Sequence, residues 1–205
     1  MIPSPAECLQ LMDKHRMLEN IRDHSIIVAR IAEVIAIDLR KSGVDLSLDL
    51  VVAAALLHDI GKTLCLGSDD DHSQTGLEIC LAEGLDELAP LVKEHVWLKF
   101  QEGPISEKEI VYYADKRVNH DKVVSLFDRQ EYIVKRYGNS DPQREVAIRK
   151  NCRNWDKVEG KIFAGLDFGP ADLAGLIDQN PASFFGQYGQ DDLCLSVATV
   201  FDISS

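Results

Sequence analysis

The chain has 205 residues, 45% of them apolar, and a formal charge of −12 at pH 7. That is enough apolar material for one full-sized core, most simply a single domain, without disulfides or other staples. The acidic balance argues against a surface for DNA, RNA or an anionic membrane, which needs clustered Lys and Arg. Cys8, Cys65, Cys80, Cys152 and Cys194 are odd in number and form no Cys-x-x-Cys pair, as expected of reduced thiols in a cytoplasmic protein. Residues 1–7 lack the basic and apolar regions of a signal peptide, and no apolar run reaches membrane-spanning length.

In chain order, helical periodicity dominates, and the expected fold class is all-α. Met17, Ile21, His24, Val28, Ile31 and Ile35 recur at steps of three or four, which predicts a helix over 17–40 with His24 facing inward. Gly43 ends it, and Ser47 is a plausible N-cap. Residues 48–59 are apolar almost all round, as in a central buried helix, with Gly61 expected to stop it. The turn-rich stretch 66–71 predicts a loop, and His72 stands where that loop meets the next helix, which ends near Gly84. Leu88, Leu91, Val92, His95 and Leu98 then share a face. Ser106 and Glu109 form a capping-box signature before a helix that groups Val111, Ala114, Asp115 and Val118. Further helices are expected over about 120–137 and 142–164, a short one over 170–178, and a strand or extended tail over 193–203. The division expected from this pattern is a core of residues 1–138 and a helical or irregular extension of residues 139–205 packed on it.

The pair His58-Asp59, at the end of the apolar run, is costly inside a core unless paired or coordinated. His24, His72, His95 and Asp115 are available partners. Each residue has an ordinary explanation when taken alone: a core histidine bonded to backbone, a carboxylate paired with Lys116 or Arg117, a solvated loop histidine. Six such groups in this order on these elements, using four of the chain's six histidines, point to a metal site. Mixed imidazole and carboxylate donors suit iron, manganese, cobalt or nickel, and also zinc, rather than magnesium or calcium. Six donors suffice for two ions.

His24, the string His58-Asp59-Ile60-Gly61-Lys62, and Asp115 within Tyr113-Ala114-Asp115-Lys116 resemble the defining pattern of the HD-domain metal-dependent phosphohydrolase superfamily, over residues 15–135. The resemblance implies that His24, His58, Asp59 and Asp115 hold a first metal. It also implies that His72, which leads a His-x-x-x-Gly helix, and His95 complete a second site bridged by Asp59. Where many HD-GYP phosphodiesterases have adjacent histidines this chain has His95-Val96, and no Gly-Tyr-Pro follows, which argues against a cyclic-di-GMP phosphodiesterase. The spacing from His95 to Asp115 is more similar to that of small bacterial HD proteins such as symmetrical diadenosine tetraphosphate hydrolases.

The expected activity is metal-dependent hydrolysis of a phosphate ester or anhydride of a nucleotide or dinucleoside polyphosphate. Asp59 would orient the attacking water, and Lys62 would assist. Lys62, Lys116 and Arg117 are the cations nearest the ligands in sequence and the candidates for holding substrate phosphate. The expected partner is a small phosphorylated molecule, with homodimerisation open. Two other readings use the same residues: an HD-type mixed-valent di-iron oxygenase, and a non-enzymatic nucleotide-binding signalling module. In the last of these, Phe163, Phe168, Phe184, Phe185 and Tyr188 would form a lid or an interface.

Overall fold

The computed structural model describes residues 1–138 and 141–179. The expected strand or tail over 193–203, and Phe184, Phe185 and Tyr188, lie outside the described residues. The order is α1 (Pro5–Lys14), α2 (Glu19–Lys41), α3 (Leu48–Leu57), α4 (His72–Ala82), α5 (Ala89–Glu94), α6 (Glu107–Lys116), the strands β1 (Val118–Asn119) and β2 (Lys122–Val123), α7 (Leu126–Tyr137), α8 (Pro142–Phe163), and α9 (Leu173–Gln179) after a 3₁₀ turn. The fold is all-α: among the described residues the strands are a two-residue antiparallel hairpin, Val118 opposite Val123 and Asn119 opposite Lys122. No helix among the described residues is long and apolar enough to cross a membrane.

The centre of the bundle is α3, whose residues 51 to 57 are all buried. Its three successive alanines, Ala53, Ala54 and Ala55, keep it narrow, so α2, α1 and α5 pack closely round it. Against α2 also lies α6, which touches α3 and α5 as well. The second layer is α8, which buries Cys152, Trp155, Val158 and Ile162 in the same core while packing on α6 and α7. The last described helix, α9, packs on α2.

Caps fix where the helices begin. Ser47 Oγ accepts from Leu50 N at 3.3 Å, and the Ser47 amide donates to the Glu107 carboxylate at 3.0 Å, tying the start of α3 to α6. Asp71 starts α4 by accepting from the Ser73 amide at 2.9 Å, and is itself held by Lys93 Nζ at 2.7 Å. The capping box of α6 is doubly used. Glu109 accepts from the Ser106 amide at 3.0 Å and from Lys161 Nζ of α8 at 2.6 and 2.8 Å, all while buried. Glu109→Ala should therefore cost about 3 kcal/mol, because it uncaps α6 and strands the Lys161 charge. Urea unfolding should show a lower midpoint at unchanged slope.

Two boundaries differ from the sequence expectation. The central helix stops at Leu57, and residues 58–67 form a run of turns that turns the chain toward α4. Gly61 acts there through close approach rather than as a helix stop: a Cβ on it would lie 2.4 Å from the His72 carbonyl oxygen and 2.6 Å from the Gly76 amide nitrogen. The helix expected from 120 starts instead at Leu126, capped by Ser125, whose Oγ accepts from Asp128 N at 3.0 Å. The residues before it form the hairpin, turned at His120 with φ +57°.

Candidate metal centre

The turn after α3 carries His58 and Asp59 into the middle of a ring formed by His24 from α2, His72 at the start of α4, His95 just past α5, and Asp115 near the end of α6. Three of the imidazoles are oriented in the same way. The Nδ1–H groups of His24, His58 and His95 donate to the backbone carbonyls of His120 (2.9 Å), Ala55 (2.7 Å) and Val92 (2.6 Å). A carbonyl can only accept, so each Nδ1 carries a proton and each Nε2 is turned to the centre, where it would offer its lone pair to a metal. This is the outer support that metal-bound histidines use.

The carboxylate of Asp59 sits between two groups of these nitrogens. Its Oδ2 lies 3.4 Å from His58 Nε2 and 3.9 Å from His24 Nε2. Its Oδ1 lies 3.5 Å from both His72 Nε2 and His95 Nε2, which are themselves 3.3 Å apart. Asp115 completes the first group through Oδ1, 3.1 Å from His24 Nε2 and 3.7 Å from His58 Nε2. Two overlapping triads, His24/His58/Asp115 and His58/Asp59/His95, bring their donor atoms within 4.8 Å of one another. His58 Nε2 is buried and has no hydrogen-bond partner among the described residues, a costly state for a core nitrogen unless a bound group engages it. The donors and the orphaned nitrogen fit a metal.

Electrostatics keep the carboxylates, His72 and His95 in their binding forms. Burial alone would raise the Asp59 carboxyl, but the cationic surroundings, His58 and Lys62 foremost, outweigh it and hold it well below the usual carboxylate range. Asp115 is depressed in the same way, with Lys116 the strongest neighbour opposing burial. Burial, reinforced by nearby cationic groups, pushes His72 down to about 4 and also lowers His95. For His58, burial is outweighed by the pull of Asp59 and Asp115, and its pKa rises.

These shifts predict how stability of the metal-free protein follows pH. An unfolded histidine takes up its proton near about 6.5. Folded His72 and His95 refuse it, so their stabilisation is complete above that value and is lost as pH falls toward the folded pKa, about 4 for His72. His58 works the other way: its stabilisation is present below about 6.5 and is lost as pH rises through its folded value. Below about 6.5 the contribution of His58 is constant and His72 and His95 decide, so thermal unfolding of chelator-treated protein should fall in midpoint from pH 6.5 toward about 4. His72→Gln should flatten the slope, and an unchanged slope in that variant would contradict the assignment.

Beside the ring opens a cavity of about 570 Å³, a size suited to a small-molecule site. Lys62 lines it, with Nζ 2.7 Å from Asp59 Oδ2. Lys116 also reaches it, though its Nζ is engaged by Asp115 Oδ2 at 2.6 Å and the His95 carbonyl at 3.0 Å, so it braces both halves of the ring. Arg117 requires a correction. It does not line the cavity; its guanidinium is buried, donating to the Val124 carbonyl (2.7 Å), the Tyr113 hydroxyl (2.5 Å) and the Pro170 carbonyl (2.9 Å), with Glu159 at 3.5 Å. It fastens the hairpin and the turn before α9 to α6. Asp70 lies on the cavity rim.

Sequence reasoning missed the far wall. Arg129, Ile133 and Tyr137 of α7 and Arg144, Ile148, Cys152 and Trp155 of α8 line the cavity. Their steps of three and four residues were a visible signal, each reading as one face of a helix. Trp97 joins them from the segment after α5.

In comparisons with known proteins, the family model described as HD domain matches residues 21–129. The chain is 28% identical over 153 residues to an uncharacterized protein of Methanocaldococcus jannaschii, a match covering 67% of this chain and 89% of that protein. It is 34% identical over 96 residues to a tRNA (cytidine(56)-2'-O)-methyltransferase of Thermoplasma volcanium, covering 46% of this chain and 26% of that enzyme. No solved structure matches significantly.

Proposed function

Because the chain belongs to the HD-domain family of metal-dependent hydrolases, we propose that it hydrolyses a phosphate ester or anhydride of a nucleotide or dinucleoside polyphosphate, using two divalent transition-metal ions. The observation that carries this reading is the division of Asp59. One carboxylate oxygen faces His24 and His58, the other faces His72 and His95, as a bridging ligand between two ions would. His24, His58, Asp59 and Asp115 would hold the first ion, and Asp59, His72 and His95 the second. When bound, two such ions activate water and neutralise charge on the phosphoryl oxygens.

The chain's own groups do the rest. The three carbonyl-fixed imidazoles hold their Nε2 atoms toward the centre before any ligand arrives, which limits reorganisation during the reaction. Lys116 fixes Asp115 on the oxygen facing away from His24 and, through the His95 carbonyl, sets the distance between the two halves. Lys62 stands at the cavity surface beside Asp59, where its ammonium compensates the charge of an arriving phosphate. Ile133, Ile148 and Trp155 of the far wall offer an apolar surface to the organic part of the substrate.

The test is phosphate release from a panel of mono-, di- and dinucleoside polyphosphates, with iron, manganese, cobalt, nickel or zinc added to chelator-treated protein. Release from one substrate class, dependent on metal, is the expected result. Two irons with oxygen consumption and no phosphate release would establish the oxygenase instead. Nucleotide binding without any turnover would leave a signalling module.

A further inference from the structure

Arg129 stands where the cavity meets the ring, and its contacts leave much of its donor capacity unused. Nη1 donates to Asn119 Oδ1 at 3.0 Å, while Nη2 lies 4.0 Å from Asp115 Oδ1, beyond hydrogen-bonding reach. The Nε–H is buried and has no acceptor among the described residues. The side chain as a whole is only 14% exposed, with its guanidinium 5.7 Å from the centre of the Tyr132 ring. A guanidinium offers five N–H donors in a rigid plane, and leaving them unmet in a desolvated place is unfavourable. Its charge is also felt at Lys62, so two cations from different elements look onto the same space. Nothing among the described residues explains that concentration of positive charge in the cavity, since Asp59 and Asp115 already have Lys62 and Lys116 as their close partners.

We propose that Arg129 is a substrate-binding residue that grips oxygens of the phosphoryl group from the cavity side, opposite the histidines. This rests on the phosphohydrolase reading above and names a residue that selects the substrate within it. A planar fork matches two oxygens of a tetrahedral oxyanion, which a lysine at the same place cannot do. The ligand class is a phosphomonoester or terminal phosphate, whose oxygens outnumber those that a metal pair engages. The organic part then extends along the cavity toward Ile148 and Trp155 of α8.

The test uses the full chain loaded with Mn²⁺ and reads inorganic phosphate affinity by calorimetry, beside metal content and the unfolding midpoint. Arg129→Ala should weaken phosphate binding by about 10- to 100-fold at unchanged metal content, and Arg129→Lys should recover only part of the loss. Added guanidinium ion should restore some affinity to the alanine variant. Unchanged phosphate affinity in Arg129→Ala would overturn the proposal. So would loss of metal together with phosphate binding, fully restored by Arg129→Lys, because that marks a residue that merely steadies Asp115 and Asn119. If the wild type binds phosphate through Arg129 yet releases none from any ester, the hydrolase reading falls and this assignment stands. If the wild type does not bind phosphate at all, this assignment falls.

Discussion

Asp59→Asn should remove both metal ions and lower turnover by about 10³-fold or more, the scale of losing a group that positions and stabilises charge at a reacting centre. The substitution keeps the volume of a side chain that is 1% exposed, so the fold should survive. It replaces an anion facing four histidine Nε2 atoms with a neutral amide, which cannot bridge two cations with equal oxygens. His72→Ala is the informative contrast. His72 approaches only Oδ1 of Asp59, and its loss should empty one of two sites while the ion held by His24, His58 and Asp115 remains. Elemental analysis of the three proteins after identical dialysis checks both statements. Two ions retained in Asp59→Asn would contradict the bridging role.

Gly61→Ala should be the most damaging small substitution in the chain. The added methyl would meet the His72 carbonyl and the Gly76 amide at 2.4 and 2.6 Å. Both are backbone, so the turn after α3 and the start of α4 must separate. Overpacking of this kind costs about 3 kcal/mol, and here the separation also carries His72 away from Asp59. Denaturant unfolding should show the destabilisation, and metal analysis should show loss of the second ion even in the folded fraction. Gly76→Ala provides the control for position: its nearest obstacle is a methyl of buried Val92 at 2.7 Å, a side chain rather than two backbone groups, and its penalty should be smaller. Equal stability of Gly61→Ala and wild type would overturn the close-approach account.

How far the molecule was legible in its sequence follows from the range of the forces involved. The stripe containing His24, the uniformly apolar α3 and the Ser106/Glu109 capping box are set by neighbours within a few residues, and periodicity exposes them. The convergence of His24, His58, Asp59 and Asp115 was also visible, because each is a polar group on an otherwise apolar face that needs a partner. The end of α3 was not: it depends on how closely Gly61 approaches α4, a contact made with residues 11 to 15 positions later. The hairpin was hidden because His120 and Asp121 carry none of the glycine signal of a tight turn.

Arg117 was misread for a similar reason. It follows Lys116 in sequence, yet adjacent residues on a helix point about 100° apart. Lys116 turns to the ring while Arg117 meets Tyr113, one turn earlier, and fastens the C-terminal segment. The far wall escaped because an amphipathic stripe on α8 announces a buried face without saying whether it covers core or cavity. It does both: Trp155 belongs to the core cluster and lines the cavity. Helix α8 is thus part of the site's enclosure, although it lies beyond the stretch matched by the family model.

The central claim is that the ring around Asp59 holds two metal ions. The most direct measurement is metal content of the chelator-treated chain after loading with Mn²⁺ and removal of free ion, with electron paramagnetic resonance of the same sample. Two manganese ions per chain with an exchange-coupled spectrum are the predicted result, since a shared carboxylate couples neighbouring ions. One ion per chain with an isolated six-line spectrum, or no retained ion, would contradict it.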